Sequence, residues 1–81
     1  MAEIIVYSNN SCGFCIQLKK FLTEKGIAFE ERDINSNAIY FQEFKALGAT
    51  GTPFTIIKDA GEIVLTVSGF NKEELSNINY K

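Results

Sequence analysis

The sequence predicts an α/β domain with a mixed four-stranded sheet and helices on both of its faces. Three observations lead to this fold class. Short β-branched runs alternate with stretches whose apolar residues recur at helical spacing, which gives the order β-α-β-α-β-β-α. The first three elements form a βαβ unit, whose strands run parallel with a right-handed crossover. The last two strands are joined by a short connection and therefore form an antiparallel hairpin.

The first half of the chain contains a strand, a helix and a second strand. Residues 3–7 are short, β-branched and bounded by polar turn residues, which is typical of a buried strand. The polar loop 8–11 follows. A helix is then predicted from about residue 13 to 25, because Gly26 is a natural stop, and residues 27–34 are predicted as the second strand. The apolar residues that recur at helical spacing in this helix are Leu18, Phe21 and Leu22.

The second half contains a helix, the hairpin and a last helix. The segment 35–37 offers N-caps for the second helix, and Gly48 ends it. Strands are predicted over residues 54–58 and 63–67. A brief last helix begins at the cap residue Asn71. The apolar stripe of the second helix consists of Tyr40, Phe44 and Leu47.

The composition is that of one small globular domain, which we assign to residues 1–81. Hydrophobic residues make up 46% of the chain, and the net charge is −2 without a basic cluster that would indicate nucleic-acid binding. The apolar runs are far too short to span a bilayer, and the start lacks the features of a signal peptide. We therefore expect a monomeric cytoplasmic protein that binds neither nucleic acid nor membranes.

The two cysteines, Cys12 and Cys15, fall where the first helix begins. This helix starts at the carboxyl end of the first strand, where open α/β sheets place their active sites. The free N–H groups of the first helical turn and the helix dipole favour a thiolate at Cys12, which is the nucleophilic form of the side chain. Cys15 lies one turn further with its side chain turned inward. We therefore expect Cys12 to attack a disulfide and Cys15 to resolve the mixed disulfide.

Other roles for the cysteine pair are less favoured. A single cysteine is often a small buried hydrophobe, but two at this spacing rarely occur by chance. Cys-x-x-Cys is also half of a common zinc site, which needs two further Cys or His ligands. Because the chain has no His and no third Cys, we expect no bound metal. Between the cysteines, Gly13 leaves the approach to Cys12 open, and Phe14 is expected to lie exposed at the rim.

Thr52-Pro53 is a second feature of the sequence. Pro53 is the only proline and stands at the start of a predicted strand, as edge strands allow. An X–Pro bond is cis in only about 5–6% of cases, so a trans bond is the ordinary expectation. Together with Thr52-Pro53, the segments 8–15 and Ser68-Gly69-Phe70 resemble the glutaredoxins, and more closely the small glutaredoxin-like redoxins of the NrdH type. The element order agrees, so the resemblance covers nearly the whole chain.

The resemblance implies a thioredoxin fold and thiol–disulfide exchange through a redox-active Cys12–Cys15 disulfide, with no tightly bound cofactor. It makes Pro53 the cis-proline that packs beside this disulfide. The backbone of Thr52 would pair with an extended substrate as an added strand does. The remaining substrate-binding residues that we predict are Gly13, Phe14, Gly69 and Phe70.

The sequence departs from the glutathione-binding members of the family at two places. Those proteins often carry a lysine shortly before the first cysteine, where this chain has the uncharged loop Asn9-Asn10-Ser11. They also carry Gly-Gly and an acidic residue before the last helix, where this chain has Ser68-Gly69-Phe70 and the uncharged Asn71. Ser-Gly-Phe is found in the NrdH type, whose members tend to take electrons from thioredoxin reductase.

The prediction is therefore a dithiol oxidoreductase, an electron carrier of cell redox homeostasis that reduces protein disulfides. Its electrons come from NADPH through thioredoxin reductase or from glutathione, and the family suggests ribonucleotide reductase as a substrate. The alternative function is a glutathione-dependent iron–sulfur cluster-binding module. It is suggested by Cys12-Gly13-Phe14, which also resembles the monothiol glutaredoxins, although these have Ser at the position of Cys15.

Overall fold

The computed structural model describes residues 2–9, 11–70 and 73. Within them, four strands and two helices follow in the predicted order. The predicted last helix, which begins at Asn71, lies outside the described residues apart from Glu73. The elements are β1 (Ala2–Ser8), α1 (Gly13–Glu24), β2 (Glu30–Asp33), α2 (Ala38–Ala46), β3 (Phe54–Asp59) and β4 (Glu62–Ser68).

The described strands form one mixed four-stranded sheet, as predicted, and their order in it is β2-β1-β3-β4. β1 pairs with β2 in parallel and with β3 in antiparallel orientation. β3 and β4 form the hairpin, whose two connecting residues, Ala60 and Gly61, both have positive φ angles (55° and 83°). Two residues of this kind give a turn whose twist matches that of the flanking strands.

Each face of the sheet carries its own apolar cluster, and alternate residues of the central strand β1 supply both. Helix α1 covers one face, which we call the α1 face, and α2 covers the other, the α2 face. This confirms helices on both faces of the sheet. The cluster on the α1 face contains Ile4, Val6, Leu18, Leu22, Ile57 and Val67. The cluster on the α2 face contains Ile5, Tyr7, Phe44, Phe54 and Ile56.

The second strand is shorter than the predicted segment 27–34, because the start of that segment closes α1. Gly26 has a φ angle of 70°, and the Ile27 N–H donates to the Leu22 carbonyl at 2.9 Å. This is the hydrogen bond of a Schellman cap. Since its N–H is used in this way, Ile27 serves the helix end and packs against the α1-face cluster. The strand begins only at Glu30.

Candidate active site

The topology brings the end of β1 and the start of β3 together at one edge of the sheet. The two strands are antiparallel and Tyr7 pairs with Phe54, so the loop after β1 lies beside the residues that precede β3. The first of these segments leads to Cys12 and the second contains Thr52 and Pro53. Two motifs about forty residues apart in the sequence therefore meet at one place.

Cys12 is the N-cap residue of α1. Its backbone is extended (φ −95°, ψ 110°), and its Sγ accepts a hydrogen bond from the Cys15 N–H at 3.1 Å. Its carbonyl accepts from the Ile16 N–H at 3.4 Å, which begins the hydrogen bonds of the helix. A sulfur in the cap position receives the free N–H groups of the first turn. The helix start thus stabilises negative charge on this sulfur.

The two free cysteines differ in accessibility. Cys12 is half-buried, whereas Cys15 is 1% exposed and lies on the inner side of α1. Gly13 is exposed, and the Phe14 side chain is 61% exposed, as expected for a residue at the rim. A partner molecule therefore meets Cys12 and Phe14 first, and reaches Cys15 only through Cys12.

The surroundings of the two sulfurs also separate their pKa values. Burial acts to raise the pKa of Cys12, but hydrogen bonds from the side chains of Cys15 and Thr52 outweigh it. The backbone N–H groups of Cys15 and Phe14 act in the same direction, so the pKa of Cys12 is lowered overall. Burial, followed by the hydrogen bond with the Cys12 sulfur, raises the pKa of Cys15 to about 11. At neutral pH, Cys12 is therefore the stronger candidate for the thiolate.

Thr52 and Pro53 lie against this pair. The Thr52–Pro53 peptide bond is cis, as the resemblance implies. Pro53 is buried, and the Thr52 side chain donates hydrogen bonds towards both cysteine sulfurs. The Pro53 carbonyl accepts a hydrogen bond from the Gly69 N–H at 2.8 Å, and Gly69 has a φ angle of 74° that favours glycine.

Phe70, which follows β4, packs against helix α1. Its ring is half-buried and packs edge-on against Phe21, with 6.0 Å between the ring centroids. A shallow groove beside it is lined by Gln17, Lys20, Phe21, Glu24 and Phe70. Of the predicted site residues, the structure thus brings together Cys12, Cys15, Thr52, Pro53 and Gly69, with Gly13 and Phe14 at the rim. Phe70 contacts the middle of α1.

Asn9 is a contact of Cys12 that the sequence interpretation did not single out. Its carbonyl accepts a hydrogen bond from the Cys12 N–H at 3.0 Å, and its backbone acts to lower the pKa of Cys15. Its side-chain Oδ1 accepts from the Ser11 N–H at 3.0 Å, which closes an Asx turn. The clustering of Asn and Ser in this loop was the available signal, since such residues bond to the nearby backbone.

Charged side chains on the α1 face form a pair away from the sulfurs. The Lys19 Nζ lies 2.7 Å from Glu31 Oε2, and the same oxygen accepts from the Ser8 hydroxyl at 2.7 Å. The hydrogen bonds from Lys19 and Ser8 lower the pKa of Glu31. The charge of Lys19 is therefore matched by a carboxylate on β2, the neighbour of the active-site strand.

Comparisons with known proteins agree with this site. The glutaredoxin family model matches residues 4–60. The chain is 33% identical over 75 residues to the glutaredoxin-like protein NrdH of Lactococcus lactis (strain IL1403), which covers 93% of this chain and 97% of that protein. This chain belongs to the glutaredoxin family. It is also 35% identical over 54 residues to glutaredoxin 3 of Escherichia coli K12, which covers 65% of each chain.

Two solved structures show the fold of this glutaredoxin. The NrdH-redoxin from Escherichia coli superposes with a TM-score of 0.81 at 23% identity, covering 95% of both chains. The thioredoxin-like protein BC3987 superposes with a TM-score of 0.76 at 29% identity, covering 91% of this chain and 96% of the other. The fold is therefore thioredoxin-like, and the chain, as a member of this family, is a thiol–disulfide oxidoreductase. Neither helix among the described residues is long and apolar enough to cross a membrane.

Proposed function

We propose that this glutaredoxin reduces protein disulfides by two successive thiol–disulfide exchanges, with Cys12 as the attacking and Cys15 as the resolving cysteine. The proposal rests on the difference in exposure and pKa between the two cysteines. Cys12 caps a helix, is accessible and has a lowered pKa, whereas Cys15 is buried and its pKa is raised to about 11. Attack by a thiolate on a disulfide sulfur is the rate-determining chemistry of this exchange.

In the first exchange, the Cys12 thiolate bonds to one sulfur of the target disulfide. The target S–S bond breaks, and the released sulfur leaves as a thiolate that takes up a proton. Once Cys12 is part of a mixed disulfide, its sulfur no longer carries the negative charge that contributes to the raised pKa of Cys15. Cys15 is therefore easier to deprotonate at the moment when its nucleophilic form is required.

In the second exchange, the Cys15 thiolate attacks the Cys12 sulfur and expels the second target sulfur. The products are the Cys12–Cys15 disulfide and a fully reduced target, so two electrons have passed to the target. The helix start then holds an oxidised pair that a reductase must reduce before the next cycle. Cys15 needs only a short movement, because its N–H already contacts the Cys12 sulfur at 3.1 Å.

The substrate in this proposal is an extended protein segment. The backbone of the half-buried Thr52 would pair with it as an added strand, and Gly13, Phe14 and Gly69 would line its path. The resemblance to the NrdH type, of which a relative with that name is 33% identical, leads us to propose thioredoxin reductase as the electron donor and ribonucleotide reductase as the target. The uncharged Asn9 and Ser11 before Cys12 agree with a site that does not depend on glutathione.

The compartment belongs to the same proposal. We place the protein in the cytoplasm, where thiols are kept reduced and cysteine pairs are more often catalytic than structural. A dithiol that cycles between its two redox states needs such a supply of reductant.

Two assays test the proposal. Reduction of a disulfide-bonded protein such as insulin is followed with wild type and with Cys12→Ser, and equal rates would refute the role of Cys12. NADPH consumption is then compared through thioredoxin reductase and through glutathione with glutathione reductase. Fast turnover with glutathione and none with thioredoxin reductase would refute the proposed donor. An iron–sulfur absorption band after anaerobic reconstitution with glutathione would support the alternative function.

A further inference from the structure

The active-site loop is held from outside by the loop that follows β2. The Asn35 Nδ2 donates a hydrogen bond to Asn9 Oδ1 at 2.8 Å, across 26 residues of sequence. Next to it, the Ile34 N–H donates to the Ser8 carbonyl at 3.0 Å. Two consecutive residues that follow β2 thus bind the last residue of β1 and the first residue of the active-site loop. We call this arrangement the loop clip; it consists of Ser8, Asn9, Ile34 and Asn35.

The Asn35 side of the clip is itself fixed. The Asn35 N–H donates to Asp33 Oδ1 at 2.8 Å, and the Ser36 N–H and hydroxyl both contact the Asp33 carbonyl, at 3.2 and 3.1 Å. Asp33 is the last residue of β2. The amide of Asn35 is therefore presented from the end of a paired strand rather than from a free loop.

The Asn9 side of the clip is continuous with the cysteines. The Asn9 carbonyl accepts from the Cys12 N–H at 3.0 Å, and the Asn9 backbone acts to lower the pKa of Cys15. The position of the Asn9 backbone therefore affects how Cys12 sits at the helix start. Movement of Asn9 would loosen the hydrogen bond to Cys12.

We propose that Asn35 is a positioning residue for the dithiol, which acts by holding the Asn9 side chain and, through it, the backbone carbonyl that binds the Cys12 N–H. The inference rests on the proposed roles of Cys12 and Cys15. Asparagine suits this place because its amide donates to Asn9 Oδ1, which an aspartate of the same shape cannot do. A clip of this kind keeps the site on rigid supports although its residues belong to loops.

The test measures the reactivity of Cys12 as a function of pH. Iodoacetamide modifies the accessible thiolate, and mass spectrometry identifies the modified cysteine. The variants are Asn35→Ala, Asn9→Ala and the double variant, with Asn37→Ala as the matched control. Asn37 is exposed and lies two residues after Asn35, and its side chain accepts from the Ile39 N–H at 2.8 Å, outside the loop clip. Melting temperatures are recorded for each variant.

We expect Asn35→Ala to shift the pH profile of Cys12 alkylation upward and to lower its rate at pH 7 about threefold, the effect of one neutral hydrogen bond. The double variant should match Asn9→Ala, because Asn35 acts through Asn9, and Asn37→Ala should keep the wild-type pH profile. An unmoved pH profile in Asn35→Ala would overturn the inference, even with a lower melting temperature, and so would additive effects in the double variant. Modification of Cys15 rather than Cys12 in wild type would instead overturn the proposed function.

Discussion

Thr52→Val removes a hydroxyl that acts to lower the pKa of both cysteines, while it keeps the shape of the side chain. A hydrogen bond to a charged group contributes about 1.5–3 kcal/mol, and about 1.4 kcal/mol corresponds to a factor of ten in an equilibrium constant. Because Thr52 is half-buried and its single hydroxyl hydrogen can bind only one sulfur at a time, we take the lower end of that range. The fraction of Cys12 present as thiolate at neutral pH should fall about tenfold.

The direction of this change follows from the charge on the acceptor. The Thr52 hydroxyl favours the thiolate over the neutral thiol, so its loss raises the pKa of Cys12. At a pH below both pKa values, the rate of alkylation by iodoacetamide should drop in proportion to the thiolate fraction. At a pH well above them, where Cys12 is fully ionised in both proteins, the rates should converge.

Two control variants make the measurement specific. Thr52→Ser keeps the hydroxyl and should stay close to wild type. Thr55→Val is the same chemical change three residues further, in β3, where the hydroxyl contacts neither cysteine in the described structure. A Thr52→Val profile that coincides with wild type over the whole pH range would refute the role we assign to this hydroxyl, and so would an equal shift in Thr55→Val.

Three further predictions concern stability and substrate binding. Thr55→Val should stabilise the fold by about 1 kcal/mol in urea unfolding, because the buried Thr55 Oγ1 has no hydrogen-bond partner among the described residues. A lower urea midpoint would contradict this. Glu31→Gln should cost up to about 1 kcal/mol at neutral pH and little in acid, measured as melting temperature against pH. The pKa of Glu31 is lowered in the folded state. The contribution of Glu31 to stability is therefore present above its unfolded-state pKa and is lost as the pH falls through its folded-state pKa. An equal loss of stability at all pH values would refute the ion pair with Lys19 as the cause. Phe14→Ser should lower kcat/KM about fivefold for a protein disulfide, because a ring that is 61% exposed has apolar area to bury against a partner. It should leave the rate with a small disulfide unchanged, and an equal loss on both substrates would refute a binding role.

The order of the elements could be predicted from the sequence because each has a strong local pattern. Residues 3–7 are a β-branched run, Leu18 and Leu22 recur at helical spacing, and Gly48 stops α2. The bounds of β2 could not be predicted, because Ile27 and Phe29 are residue types typical of strands, although here they precede β2 and pack against the cluster on the α1 face. A hydrogen bond from Ile27 to the end of α1 decides between the two uses, and local composition does not show it.

The central chemistry of the site was also readable in the sequence. Cys12 and Cys15 stand at a helix start, and the resemblance connected them with Thr52 and Pro53. The hydrogen bonds between loops that support the site could not be predicted from the sequence. Asn9 and Asn35 are 26 residues apart in two polar loops, and only the pairing of β1 with β2 brings these loops together.

The most direct test of the account is which cysteine forms the mixed disulfide. Cys15→Ser and Cys12→Ser are incubated separately with a disulfide-bonded protein substrate and analysed by non-reducing mass spectrometry. The account predicts that Cys15→Ser accumulates a covalent complex through Cys12, because the attacking sulfur is present and the resolving one is absent. We expect no complex for Cys12→Ser, because its remaining thiol is 1% exposed and burial raises the pKa of that thiol. A covalent complex through Cys15 in Cys12→Ser, with none in Cys15→Ser, would contradict the assignment.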